Sequence, residues 1–567
     1  MNTNRRVANL FSEIALMLEI QDANVFKIRA YKNAADVINT LDTDLADMSA
    51  DGAELTSIKG IGKDMAAKID EFLRAGELSY HTELRSEVGG GLIEMSKLRG
   101  VGPKTVRLFS SAGIKTVDEL ESRLKSEGLE GVSGVGKKKS DAILEAVKFY
   151  KSNLSVHRLG GAVSGARSLR EEISLMEGVS RVSEAGCVRR MTETVSEIEL
   201  LASFESGGCF DKSLFLKRLS ALPGIESVSE ARTENPETVT AEVSREQAEI
   251  KTFVHATSPA RFARELVRLT GSPLHWEKLV SLGSAQDSED EESFYSSLGL
   301  QFIAPELRED TGEIEAAAED ALPRLVESSD IKGDLHTHTL WSDGKDSVEA
   351  MALAAREMGY EYIALTDHSP SSVVANGLSA ARLASKMEEV KEVNSRLRGV
   401  EILTGTEVDI KPDGSLDYPD DILRKLDFVV ASIHGSFSQT QKEMTGRVVR
   451  ALENPFVHAL GHPTARVIGR RAPCEMDMDK VTDAALGNGK ALEINASCHR
   501  LDLKDKHVRM AVEKGVKLII STDAHSTRQF REMVCGVAVA RRGWAGAGDF
   551  LNTLALADLL DWLKSRG

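Results

Sequence analysis

The chain is poor in cysteine. It holds five in 567 residues, Cys187, Cys209, Cys474, Cys498 and Cys535, and no two form a Cys-x-x-Cys pair. That scatter excludes a zinc ribbon and a disulfide framework and fits reduced thiols in a cytosolic protein. Proline is scarce too, with 13 residues and no low-complexity tract, which excludes a largely disordered chain. No apolar run reaches the roughly 18 residues that a membrane-spanning helix needs. The start carries Arg5 and Arg6 before an apolar stretch, but Glu13 and Glu19 interrupt it and no small-residue cleavage site follows. Val7, Leu10, Phe11, Ile14 and Leu18 recur at helical spacing, so the segment reads as an amphipathic helix. The expectation is a cytoplasmic protein without a membrane partner. An excess of positive charge is also missing. The net charge of −17 speaks against a uniformly basic nucleic-acid binder. Residues 1–150 are nearly balanced, with 21 Lys+Arg against 23 Asp+Glu, so most of the excess acid lies downstream. Local amides, lysines and bound cations can still hold a nucleic acid.

One short pattern is present three times. It reads Ile58-Lys59-Gly60-Ile61-Gly62-Lys63, then Leu98-Arg99-Gly100-Val101-Gly102-Pro103-Lys104, then Val132-Ser133-Gly134-Val135-Gly136-Lys137. A helical pattern follows each copy, over 65–73, 105–111 and 140–150. Two glycines around one apolar residue permit a tight turn and bare the amides of a helix start, where a phosphate oxygen can sit. The lysine adds charge. A single copy reads equally well as a helix-capping glycine pair. Three copies, each with a lysine, read as helix-hairpin-helix motifs that grip a nucleic-acid backbone without regard to sequence.

From residue 330 onward, short apolar runs alternate with amphipathic segments. The runs are 331–335, 362–365, 401–404, 428–432, 457–460, 492–495 and 518–521; the segments include 347–358, 380–397, 479–486 and 506–514. This alternation predicts parallel strands with right-handed crossovers, and seven strands predict a closed or nearly closed barrel. Polar residues follow most of the runs: His336, His338 and Asp343; His368; Glu407; His434; His462; Asp523 and His525. Strand ends of such a barrel share one mouth, so these side chains converge. Six imidazoles and three carboxylates exceed the needs of one tetrahedral ion and suit two or three divalent ions. The mixture favours zinc, manganese or iron over magnesium or calcium. Clustered ions can activate water, neutralise phosphate charge and stabilise a leaving oxygen. His81, His157, His255, His275, His458, His499 and His507 do not follow the pattern and read as structural or surface residues.

These residues resemble a PHP domain, named for polymerase and histidinol phosphatase, and the chain as a whole resembles a bacterial family X DNA polymerase with a C-terminal PHP domain. The closest stretches are ESFYSSLGLQFIAPELREDTGEIE at 292–315, GHPTARVIGRR at 461–471, LEINASCHRLDL at 492–503, and the tail 540–552. The resemblance implies a multidomain chain with an α-helical helix-hairpin-helix region, an α+β nucleotidyltransferase-like palm and a distorted (β/α)7 PHP barrel. The expected domains are 1–80 with the first hairpin, 81–150 with the other two, a palm-like core at 151–265, a thumb-like region and linker at 266–328, and the barrel at 329–567. It implies a manganese-dependent 3′-to-5′ exonuclease in the barrel, with Mn2+ or Zn2+ on the nine ligands and substrate contacts from Arg466, Asn495 and Arg500. The implied partner is DNA that is gapped, nicked or presents a 3′ end, bound by a monomer.

The family's polymerase core holds Mg2+ on three aspartates, two of them in an Asp-x-Asp strand after a Gly-Ser-x-Arg-Arg-Gly loop. Here the loop reads Gly186-Cys187-Val188-Arg189-Arg190-Met191, and Glu197 and Glu199 stand for the two aspartates. Counting back from Thr270-Gly271-Ser272 puts Phe253 at the third position, with Glu249 and His255 as possible substitutes on the same strand face. A longer carboxylate arm matters, since a misplacement on the order of 1 Å costs about a hundredfold in rate. Lys68 aligns with the Schiff-base lysine of some members, while Asp64 occupies the place of a phosphate-binding lysine. Lys68 reads equally as a solvated helix residue. Four functions follow: a nuclease with an impaired polymerase core, an active gap-filling polymerase with a PHP exonuclease, a small-molecule phosphatase of the histidinol-phosphatase type, and a non-catalytic scaffold at DNA ends. Residues 284–291 read as a solvated acidic loop, and 311–327 as an acidic helical link to the barrel.

Overall fold

A computed structural model describes residues 3–565, apart from 40, 42, 51, 127, 130–131, 133–134, 153–155, 232–236, 246–249 and 284–285. Two compact units divide the chain, Met1–Leu154 and Ser155–Gly567. The expected domains 1–80 and 81–150 fall in the first, and the thumb and barrel ranges, with the palm range from residue 155 onward, in the second. Among the described residues, no helix is long and apolar enough to cross a membrane.

The described elements of the first unit are helical. The stripe at the start folds as expected, and helix Thr3–Ile20 buries Val7, Phe11, Ile14 and Leu18. Phe11 meets the Tyr31 ring of helix Val25–Asn39 edge to face at 5.5 Å. Each hairpin turn is closed by the amide of its central apolar residue. Ile61 donates to Ile58 O at 2.9 Å, Val101 to Leu98 O at 3.1 Å and Val135 to Val132 O at 3.1 Å. Gly60 (φ 102°) and Gly100 (φ 77°) hold the left-handed position that such a turn demands. Ile61, Val101 and Val135 are buried and pin the turns to the core. Gly62 and Gly102 then cap helices Lys63–Ala75 and Pro103–Ser111, and Gly136 precedes helix Lys137–Ser152. Gly134 lies outside the described residues.

The second unit begins with a five-stranded sheet. Its strands are β1 (Val179–Ala185), β2 (Glu197–Phe204), β3 (Ile225–Ala231), β4 (Thr238–Arg245) and β5 (Lys251–Thr257), in the order β1-β2-β5-β4-β3. Only β2 and β5 run parallel among these neighbours. Helix Leu159–Ser174 buries Leu159, Ala162, Ala166, Leu169 and Ile173, a 3.6-residue stripe that joins Phe204 and Phe215 in one core.

Buried residues between Val267 and Leu325 form a smaller core around Phe294, Tyr295 and Ile303. Here the two acidic readings hold in part: Gln286, Asp287, Glu289 and Asp290 are exposed, as a solvated loop requires. Glu291, at the end of that loop, is instead largely withdrawn from solvent between Arg189 (2.7 Å) and Arg308 (2.6 Å), because two guanidiniums offset the cost of desolvating one carboxylate. The expected helical link is helical only over Glu313–Ala318, and Glu313 is buried against His275 at 2.6 Å.

Seven parallel strands complete the unit: β6 (Gly333–Thr337), β7 (Tyr362–Leu365), β8 (Glu401–Asp409), β9 (Phe428–Ser432), β10 (Ala459–Leu460), β11 (Ala491–Asn495) and β12 (Leu518–Ser521). They follow chain order around the sheet. The first and last strands meet where His338 N donates to Ala524 O at 2.8 Å, so the barrel is nearly closed. Leu335, Leu403, Phe428, Val430, Ala459, Ala491 and Ile519 form one inner core, which Leu551, Leu559 and Leu563 plug from the chain's end. Two-residue periodicity carries the same strand faces upward into polar positions: Leu403 to Glu407, Phe428 to Ser432, Ala491 to Glu493 and Asn495, and Ile519 to Asp523. The barrel is therefore apolar at its base and ionisable at its mouth.

Candidate metal centre and nucleic-acid contacts

All nine side chains expected at the mouth meet there, and Glu407 is their hub. Its Oε2 lies 2.9 Å from His368 Nδ1, 3.4 Å from His336 Nε2 and 3.7 Å from His338 Nε2. Its Oε1 lies 2.9 Å from His462 Nε2 and 3.1 Å from His434 Nε2. Asp523 is 3.0 Å from His338, and Asp343 is 3.3 Å from His525 and 3.6 Å from His368. Ligand atoms within 4.8 Å of one another form three overlapping groups: His338, Asp343, His368 and His525; His336, His338 and Glu407; and His368, Glu407 and His434. Both Glu407 oxygens, both His338 nitrogens, His336 Nε2 and His368 Nδ1 are buried without a hydrogen-bond partner. Buried polar atoms are normally paired. Here they point into shared space at close range, and a set of imidazoles and carboxylates in that arrangement fits divalent cations. His462 (φ 26°) and Asp523 (φ 55°) both hold left-handed backbone, a strain that recurs at functional positions.

The charges at the mouth answer one another. Burial pushes the Glu407 carboxyl up, but His434, His336 and His368 outweigh it and hold it well below the usual range. Burial opposes protonation of His434, yet Glu407 and Asp409 raise it to about 10; Asp343 and Asp523 likewise overcome burial to raise His525 to about 9. Burial together with the neighbouring His525 and His368 drops His338 to about 4, and burial with Arg500 drops His462 to about 3.

Sequence reasoning missed the residues that orient this set. His336 Nδ1 donates to Glu493 at 2.7 Å, and His434 Nδ1 to Asp409 at 2.6 Å, so each ring turns Nε2 toward Glu407. Such carboxylates fix the tautomer of a ligating imidazole. Period-two spacing was the available signal, since Asp409 follows Glu407 and Glu493 precedes Asn495 on the same faces. A buried pair, Lys386 and Asp367 at 2.7 Å, supports the Asp343 loop: Asp367 also accepts from Thr339 N at 2.8 Å and Ser342 Oγ at 2.7 Å.

The cleft above the centre encloses about 550 Å³ and is lined by Asp343, His368, Glu407, His434, His462, Asp523 and His525 together with Arg500. Arg500 Nε is 3.6 Å from Asp523, and its Nη1 is buried without a hydrogen-bond partner. Arg466 is committed elsewhere: it donates to Arg500 O at 2.8 Å and pairs with Glu193 at 2.8 Å. Asn495 donates to Asp523 at 3.1 Å. Arg500 therefore faces the cleft, while Arg466 and Asn495 brace its wall.

In the first unit, Gly60, Gly62, Lys63, Gly100, Gly102, Lys104, Gly136 and Lys137 are exposed. A Cβ at Gly62, Gly102 or Gly136 would meet nothing within 4 Å, and none has a positive φ. The space beside these three turn glycines is open. Lys68 is paired with Asp64, and its ammonium lies 5.6 Å from the Tyr80 ring centroid.

The second carboxylate site has a different character. Glu199 pairs in register with Phe253, and Glu197 with Lys251. His255 Nε2 lies 3.4 Å from Glu199, and its Nδ1 is 2.9 Å from Thr240 Oγ1. Burial and Glu199 raise the Glu197 carboxyl. Arg190 donates to Glu309 at 2.9 Å and to Thr270 O at 2.6 Å. Glu249 lies outside the described residues. Among the described residues, the three ligand groups include neither Glu197 nor Glu199.

A parallel barrel with a multi-ligand mouth defines a metallohydrolase of the PHP class, and residues 334–497 match the PHP domain family. Residues 2–78 match a helix-hairpin-helix domain, and 92–148 a SAM-like helix-hairpin-helix tandem. The chain is 34% identical to the DNA polymerase/3′-5′ exonuclease PolX of Bacillus subtilis (strain 168), across 98% of this chain and 99% of that protein. It belongs to the bacterial family X DNA polymerases that carry a C-terminal PHP domain. Probable phosphatases of Thermoanaerobacter sp. (strain X514) and Acetivibrio thermocellus are 32% and 33% identical over 34% of the chain, each with 78% of its own length covered. The hairpin domains imply DNA binding, and the clusters at the barrel mouth fit divalent metal ions.

Proposed function

We propose that the barrel is a metal-dependent 3′-to-5′ exonuclease that shortens DNA, with two or three divalent ions, Mn2+ or Zn2+, held by His336, His338, Asp343, His368, Glu407, His434, His462, Asp523 and His525. The observation that carries this reading is the Glu407 hub, around which buried nitrogens converge without hydrogen-bond geometry. Bound ions supply water activation and neutralise the charge of the phosphodiester. Glu493 and Asp409 hold His336 and His434 in the tautomer that ligation needs. Arg500 meets a phosphate oxygen. The hairpin turns of the first unit hold the DNA backbone through Gly60, Gly62, Lys63, Gly100, Gly102, Lys104, Gly134, Gly136 and Lys137. Gapped, nicked and 3′-ended duplexes are the substrates of a monomeric, cytoplasmic protein with the five-domain division 1–80, 81–150, 151–265, 266–328 and 329–567.

The polymerase core is read as impaired for Mg2+. Phe253 stands opposite Glu199, and the loop arginines are paired with Glu291 and Glu309 instead of being open to a triphosphate. Lys68 is read as structural, because its amine is held by a carboxylate. The printed name of the Bacillus relative favours the second reading, a working gap-filling polymerase. The similarity to probable phosphatases favours a small-molecule substrate for the barrel, but such an enzyme has no use for three backbone-gripping hairpins. The test is a 5′-labelled gapped duplex incubated with Mn2+, with and without nucleotides. Shortening without extension supports the proposal. Templated extension that is lost in Glu199→Ala overturns the impaired core.

A further inference from the structure

A nucleotide divides chemically into a charged phosphodiester and a flat, largely apolar base. The cleft divides the same way. Its floor is the ligand cluster, one wall carries Arg500, and its rim carries Val373 and Val374. These two side chains are 79% and 105% exposed, far from what branched aliphatic residues normally adopt. These adjacent apolar side chains, turned largely to solvent beside an ionic cleft, bury little against the fold.

The loop that presents them is held firmly. Ser371 N donates to Asp417 at 2.7 Å, and Ser372 Oγ donates to Asp409 at 2.8 Å, the same carboxylate that orients His434. On the far side, Asn376 Nδ2 donates to Trp341 O and Ser342 O at 3.2 Å each, one residue from Asp343. Leu378 N donates to His368 O at 2.8 Å. The two valines are thus tied through short links to three of the ligand-bearing segments. Little side-chain freedom is lost when a ligand covers them, since β-branched residues are already stiff.

We propose that Val373 and Val374 form an apolar platform on which the base beside the scissile phosphodiester rests, and that they are specificity-determining residues of the nuclease site. The proposal rests on the exonuclease reading. A larger base covers more of the platform, so 3′-terminal purines bind better than pyrimidines through area burial alone.

The experiment compares wild type, V373S/V374S, V373I/V374I and His336→Ala on 5′-labelled single strands ending in adenine or cytosine, with Mn2+. In V373S/V374S the KM for DNA rises by about tenfold while kcat stays within about twofold, as expected for partial burial of two valines. The adenine-over-cytosine preference shrinks, the isoleucine pair restores both parameters, and bound Mn2+ is unchanged. An unchanged KM and base preference in V373S/V374S, with His336→Ala inactive, overturns the platform alone. A fall in kcat at constant KM also overturns it, since that would place the loop's effect on the ions. Failure of wild type to shorten the strands, or shortening that survives in His336→Ala, overturns the exonuclease reading and the platform with it.

Discussion

Glu493 and His336 are joined at 2.7 Å beneath the barrel mouth, on β11 and β6, which β12 separates in the nearly closed ring. Both are fully buried, and the contact leaves Nε2 of His336 as the nitrogen that faces Glu407. Glu493→Gln keeps the shape and removes the charge. It is expected to weaken Mn2+ binding by about 10- to 100-fold with the fold intact, the range found for carboxylates behind ligating histidines. Calorimetric titration of the ion-free protein measures this, and wild-type affinity in the variant would refute the role.

Glu407 has the larger effect, because five imidazoles face it. Glu407→Gln removes the one carboxylate shared by two of the three ligand groups. The expected outcome is loss of at least one bound ion per chain, read by elemental analysis, and loss of DNA shortening by a factor of at least about a thousand.

Ion loading is expected to strengthen as pH rises. In the ion-free protein Glu407 and Asp409 raise His434 to about 10 against the opposing effect of burial, and Asp343 and Asp523 raise His525 to about 9. Below those values both rings carry protons that a cation must displace, so protons are released on binding and acid competes with the ion. Chelator competition between pH 6.5 and 8.5 is expected to give an affinity gain of about tenfold or more per pH unit. A flat profile would contradict the protonation pattern.

The hairpin glycines are predicted to matter for DNA and not for folding. Gly62→Ala and Gly102→Ala place a methyl where the protein has no atom within 4 Å. Thermal midpoints are expected to stay within a few degrees, while affinity for duplex DNA at fixed salt falls by about tenfold, read by fluorescence anisotropy. Equal affinity would remove the hairpins from the interface.

Lys386→Met leaves Asp367 buried without its cation. A loss of about 3–5 kcal/mol is expected for breaking such a pair. The Asp343 loop should loosen as well, because Asp367 anchors Thr339 and Ser342. Chemical denaturation reads the first effect, and amide exchange over 339–343 the second.

Much of this centre is legible in the sequence. Parallel strands joined by crossovers send their C-terminal ends to one mouth, so His368, His434 and His462 converge although long stretches of chain separate them. What stayed hidden depends on partners that sequence order does not reveal. Glu493 and Asp409 lie inside strands, and only their faces distinguish them from solvent acids. Glu291 sat in an acidic run whose composition points to solvent, yet Arg189 and Arg308 draw it inside. Arg466 lies in a stretch that resembles a substrate-contacting one, but a carbonyl across the loop and Glu193 occupy its guanidinium. Val373 and Val374 carry no signal in the sequence, because exposure cannot be counted from residue types.

The claim that nine side chains cage working ions is tested most directly by metal removal and return. The purified protein is stripped with chelator, its metal content is measured, and shortening of a 5′-labelled 3′-ended duplex is followed as Mn2+ is added back. The stripped protein should leave DNA intact, and activity should return in step with two or three ions per chain, but not in His336→Ala. Undiminished degradation by the metal-free protein would contradict the account.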